Sequence, residues 1–79
     1  MMLKTPAIPS PHLAKSLTPI ERLVLCRVAD GFTDAEIATI LSRSKDTVRY
    51  HVKGLKAYLG ISRREVLVRF AVRAKLVEM

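Results

Sequence analysis

Between Ser44 and Gly60 the chain reads SKDTVRYHVKGLKAYLG, and within it Arg49, Lys53 and Lys56 recur at offsets of four and three, with Tyr50 beside them. That spacing sets three cations along one side of a 3.6-residue helix, where guanidinium and ammonium groups can donate charge-assisted hydrogen bonds to a polyanion. Val48, Val52, Leu55 and Leu59 recur at four, three and four and define another side, which is apolar and needs a core. The spacing therefore predicts a helix over residues 45–59 with one face packed and the other offered to nucleic acid.

The charge of the whole chain supports a polyanionic partner. The formal charge is +7 over 79 residues. From Ser42 to Lys75 ten basic residues stand against Asp46 and Glu65, whereas residues 1–41 carry four of each sign. An excess confined to one half points to nucleic acid or an anionic membrane surface, with plain solubility of a small helical protein as the bland alternative. Membrane binding fits poorly, because the apolar faces of the basic helices are needed for the core. No apolar run approaches the roughly 18 residues of a membrane span, and the first residues lack the apolar stretch of a signal peptide. A soluble, cytoplasmic protein is the expectation, bound to the nucleoid when on DNA.

Other chemistries find little support. Cys26 is the only cysteine, so an internal disulfide and a cysteine-rich zinc site are excluded, and the residue reads as a small half-buried apolar group. The chain shows no paired carboxylates at an apolar cleft, no metal-ligand cluster and no phosphate-binding glycine loop. No enzyme activity, catalytic residue, metal or cofactor is expected. His51 on the basic helix and His12 near the N-terminus read as packed, phosphate-adjacent or simply exposed.

The elements that position the basic helix are marked by start and stop signals. Residues 1–16 hold Pro6, Pro9 and Pro11 without a sustained helical period and read as an N-terminal arm or linker; residues 17–79 read as one domain. Thr18, Pro19 and Glu21 open a first helix with a capping box and a proline at its first position, and Gly31 stops it after about Asp30. Leu17, Val24, Leu25, Val28 and Ala29 face inward. Glu21 points to the same side, which predicts partial burial and pairing with a basic residue. Thr33 and Glu36 form a second box for a short helix from Asp34 to about Leu41, with Ile37, Ala38 and Leu41 inward. Ser42 and Arg43 make a turn, Ser44 caps the basic helix, and Gly60 ends it. Ser62 and Glu65 form a further box for a last helix through about Ala74, with Leu67, Phe70, Ala71 and Ala74 inward and Val68 and Val72 on a separate stripe. No strand alternation appears. The fold class is all-α, a four-helix bundle containing a helix-turn-helix.

These motifs, taken in order, resemble the LuxR/GerE-type DNA-binding domain: Leu17-Thr18-Pro19-x-Glu21, Val24-Leu25, Ala29-x-Gly31, Glu36-Ile37-Ala38, Leu41, Ser44-x-x-Thr47-Val48-x-x-His51 and Leu59-Gly60-Ile61. The likeness runs from Leu17 to about Val77. It implies a bacterial transcriptional regulator whose third helix enters the major groove and whose fourth mediates dimerisation. Because the chain carries no receiver or ligand-sensing domain, it is similar to stand-alone members or to an excised effector domain.

By position, the resemblance puts base contacts at Arg49, Tyr50 and Lys53. Arg49 can make a bidentate contact with guanine O6 and N7, and Lys53 can donate to the same edge. Tyr50 can touch a thymine methyl or hydrogen-bond a phosphate. Ser44, Lys45 and Thr47 at the helix N-terminus, with Lys56, suit phosphates. Val68, Val72 and Leu76 are expected at the dimer seam. Partners implied are double-stranded DNA, a second copy, and RNA polymerase or a regulatory protein. Three positions depart from the family pattern. Ser42 replaces a usual Gly; Arg43 replaces a usual Ile or Val and either adds a phosphate contact or loosens the turn; Lys75 replaces a usual Gly before Leu76-Val77. An alternative class, a protein-interaction module on the same fold with little sequence-selective DNA binding, is motivated by Ile20, Leu23 and Ile40, which are apolar without a clear place in the core.

Overall fold

The computed structural model describes residues 8–76, so the first seven residues of the arm and Val77 of the final pair lie outside the described residues. Among the described residues four α-helices follow a 3₁₀ turn: α1 (Pro19–Ala29), α2 (Asp34–Leu41), α3 (Lys45–Leu59) and α4 (Arg64–Arg73). No strand occurs among the described residues. The spans of α2 and α3 match the sequence reading, and α1 stops one residue before Asp30.

Three of the four starts follow from a side-chain cap. Thr18 Oγ1 accepts from the Glu21 amide at 3.3 Å while the Thr18 amide donates to Glu21 Oε1 at 2.8 Å. Thr33 and Glu36 repeat the arrangement at 3.2 and 2.8 Å. Ser44 Oγ accepts from the Thr47 amide at 3.0 Å. Each cap satisfies an otherwise orphaned helix N–H and is worth about 1 kcal/mol. Glu21 is half-buried, but its carboxylate is held by the Thr18 amide instead of the basic side chain expected for it.

The fourth start corrects the expected Ser62–Glu65 box. Helix α4 begins at Arg64 behind Arg63, with no side-chain cap hydrogen bond. Tertiary contacts take over: Arg64 donates to Asp34 Oδ1 at 2.8 Å and to the Phe32 carbonyl at 3.0 Å, tying α4 to the start of α2. Glu65 pairs with Arg63 at 3.0 Å.

All four helices end in one way. The residue at the turn has positive φ, its amide bonds three residues back, and the next amide bonds five residues back, which is the Schellman pattern. The turn residues are Gly31, Ser42, Gly60 and Lys75. The five-residue bonds run from Phe32 to Arg27 O, Arg43 to Ala38 O, Ile61 to Lys56 O and Leu76 to Ala71 O, at 3.2, 2.9, 2.8 and 2.9 Å. Phe32, Ile61 and Leu76 are apolar and pack on the core, completing the motif, whereas Arg43 is exposed. The departures at Ser42, Arg43 and Lys75 thus all fall in these helix-ending turns. Ser42 and Lys75 adopt a backbone conformation that glycine takes at least cost, and Arg43 occupies the place of the apolar plug.

The core lies between α1, α3 and α4, with α2 packed on α3. Val24, Leu25, Ile37, Val48, Leu67, Phe70 and Ala71 have no exposed surface, and Val52, Leu55 and Leu59 are buried beside them. Each fully buried aliphatic side chain contributes about 1.5–3 kcal/mol, so the apolar line of α3 fixes that helix firmly. Leu41, Ala29 and Ala74 pack at the edge, while Val66 joins the core although the inward set of α4 did not include it. The reading of residues 1–16 as an arm did not include the 3₁₀ turn Pro11–Ser16. Its Ala14 is buried, the Ala14 carbonyl accepts from Arg22 at 3.1 Å, and the Leu13 carbonyl accepts from Tyr58 Oη at 3.2 Å.

Candidate nucleic-acid interface

Helix α3 presents its polar side because its apolar side is fully committed. With Val48, Val52, Leu55 and Leu59 buried, residues three and four apart on the far side share an outer line. At 3.6 residues per turn, Tyr50 and Lys53 lie roughly opposite the core, and Arg49 lies about a quarter turn from it, on the flank. All three are exposed, Tyr50 to 74%. The Tyr50 ring meets His51 edge-on, with centroids 5.6 Å apart and planes at 68°, which restrains it on the surface. His51 is half-buried.

The predicted phosphate contacts divide by placement. Arg43, Ser44 and Lys45 are exposed around the α2–α3 turn and the start of α3. Thr47 is half-buried, with its hydroxyl 2.8 Å from Ser44 Oγ, so these two hydroxyls already engage each other as well as the Thr47 amide. Lys56 is half-buried and stands away from the exposed N-terminal group. Arg43, Ser44, Lys45, Arg49, Tyr50 and Lys53 are thus all exposed, whereas Thr47 and Lys56 are half-buried.

One exposed residue of α3 entered the sequence reading only as a charge. Asp46, in the first turn of α3, has a side chain 93% exposed and lies 3.7 Å from Arg49 Nη1. Its position four residues before Tyr50 and seven before Lys53 was the available signal.

The three residues expected at a dimer seam are partly covered. Val68, Val72 and Leu76 are all half-buried, and Val68 and Leu76 pack on the core edge. Val68 and Val72 line an open apolar depression with Ile8, Arg69 and Arg73. Cys26 Sγ donates to the Leu76 carbonyl at 3.4 Å. Burial pushes the Cys26 thiol above its ordinary pKa, so it stays protonated and structural. Of the unplaced apolar residues, Ile20 packs against the core, while Leu23 and Ile40 are 45% and 47% exposed. Among the described residues no group of three or more His, Cys, Asp or Glu could hold a metal, and no helix is long and apolar enough to cross a membrane.

Comparison with known proteins bears on the family of this helical fold. Residues 15–71 match the family described as "GerE: Bacterial regulatory proteins, luxR family". The chain is 43% identical over 54 residues to "Probable transcriptional regulatory protein SgaR" of Hyphomicrobium methylovorum, covering 68% of this chain and 26% of that protein. It is 36% identical over 61 residues to "Probable transcriptional regulator ycf29" of Pyropia yezoensis, covering 77% of this chain and 28% of that protein. The aligned region thus spans about a quarter of the length of these curated relatives. Since the family match takes in all of α1, α2 and α3 and most of α4, the chain belongs to the luxR family of bacterial regulatory proteins.

Proposed function

We propose that this chain is a bacterial transcriptional regulator that binds specific double-stranded DNA as a dimer, with α3 inserted in the major groove. The observation that carries the reading is the two-sided α3: an apolar line buried in the core, and Arg49, Tyr50 and Lys53 exposed together beyond it. Arg49 and Lys53 donate to guanine edges, and Tyr50 contacts a thymine methyl or a phosphate. Ser44, Lys45 and Thr47 meet phosphates at the N-terminus of α3, with Arg43 and Lys56 as flanking contacts. The half-buried Val68, Val72 and Leu76 form the seam between two copies, which sets half-sites about one helical turn apart, on the order of 34 Å. RNA polymerase or a regulatory protein would be a further partner, and the site of action is the cytoplasm. Selection of bound sequences from a random duplex pool, with the footprint recorded, tests the proposal. A two-fold symmetric motif is expected; failure to enrich any motif would overturn it.

A second reading, a protein-interaction module, rests on the exposure of Leu23 and Ile40. It predicts stoichiometric capture of a protein partner together with no sequence preference on DNA.

A further inference from the structure

Asp46 is the only acidic residue between Lys45 and Leu59. It stands where an acid is least suited to a polyanion. Asp46, Tyr50, Lys53 and Ala57 fall at offsets of four, three and four, so together they make the outermost line of α3, roughly opposite Val48, Val52, Leu55 and Leu59. The carboxylate is almost fully exposed on that line, with the Arg49 guanidinium 3.7 Å away. A first-turn acid also complements the helix dipole, but an acid at position 45, on the flank of the same turn, would serve that purpose without placing negative charge on the outer line, and the chain carries Lys there.

On a surface that meets DNA, a carboxylate is repelled by phosphates and by the acceptor atoms guanine O6 and N7, thymine O4 and adenine N7. Cytosine alone offers an amino donor, N4, with no acceptor beside it on its own major-groove edge. We propose that Asp46 is a specificity-determining residue, accepting a hydrogen bond from cytosine N4 at a base pair next to the one read by Arg49 and rejecting other bases there. This rests on the assignment of α3 as the DNA-reading helix. Arg49, 3.7 Å from the carboxylate in the free protein, offsets part of its charge during approach.

The test is sequence selection from a random duplex pool with the whole chain and with Asp46→Ala, Asp46→Asn and Arg49→Ala. The unaltered chain enriches a motif with cytosine at one position. Asp46→Ala loses that preference by about tenfold, and Asp46→Asn moves it towards adenine, whose N6 and N7 suit an amide. Arg49→Ala relaxes a different, guanine position. The inference is overturned if Asp46→Ala leaves every position unchanged, or weakens all sequences alike together with a lower melting temperature, which is the dipole role alone. It is also overturned if Asp46→Ala relaxes only the position relaxed by Arg49→Ala, since Asp46 would then act only through Arg49. If the unaltered chain enriches nothing, the DNA-reading assignment itself falls, an outcome visible before any variant is scored.

Discussion

Replacing Ser42 by glycine isolates the cost of the turn that launches α3. Ser42 sits at φ 55° and ψ 44°, close to the centre of the left-handed region, so the cost is that of the region itself and not of a distorted geometry. For a residue with a Cβ this is about 1–2 kcal/mol. The Ser42 side chain is exposed and makes no hydrogen bond among the described residues, so its removal forfeits nothing that would offset the gain. The unfolded chain gains freedom with glycine, which returns about 0.4–1 kcal/mol. Ser42→Gly is therefore expected to stabilise the domain by about 0.5–1 kcal/mol, a rise in melting temperature of about 2–8 °C for a chain of this size. Thermal unfolding followed by circular dichroism reads the shift, with Ser42→Ala as control. Alanine keeps the Cβ, so it should leave the melting temperature almost unchanged. Equal stabilisation by alanine and glycine, or destabilisation by glycine, would refute the reasoning from backbone strain.

Caps give a second contrast. Thr33→Ala should cost about 1 kcal/mol in chemical denaturation, because its hydroxyl caps α2, whereas Ser62→Ala should cost almost nothing, because α4 has no side-chain cap. Arg64→Ala removes two hydrogen bonds between α4 and the start of α2 and should cost about 1–2 kcal/mol on the same assay, with Arg64→Lys recovering only part of it. Val72→Asp puts a charge at the proposed seam; sedimentation should show a monomer where the unaltered chain dimerises, while the thermal transition remains cooperative.

Much of the fold was legible because local signals and the hydrophobic period agreed. Thr18, Thr33 and Ser44 each capped the helix their sequence announced, and the inward faces of α1, α2 and α3 followed from spacing alone. The start of α4 was misread because Ser62–Glu65 has the right letters for a box, but Arg64 is drawn to Asp34 and the Phe32 carbonyl, partners 30 and 32 residues away that no local rule detects. Pro11–Ser16 was missed for a related reason. Its helical character is only a 3₁₀ turn, and its docking depends on Arg22 and Tyr58, from α1 and α3. Within the candidate interface, the exposure of Arg49, Tyr50 and Lys53 followed from their type and spacing. Asp46 was passed over because attention to cations hides an acid on the same line. The partial burial of Thr47 and Lys56 depended on neighbours the sequence does not order in space.

The most direct test of the central claim is the ratio of affinities for a selected duplex and a scrambled one, measured by fluorescence anisotropy at fixed salt, for the unaltered chain and for Arg49→Ala with Lys53→Ala. If the outer face of α3 reads bases, each substitution removes about 1–3 kcal/mol of discrimination, so the double variant should lose at least tenfold in the ratio while still melting cooperatively. An unchanged ratio in a folded double variant would contradict the account, since sequence would then be read somewhere other than Arg49 and Lys53.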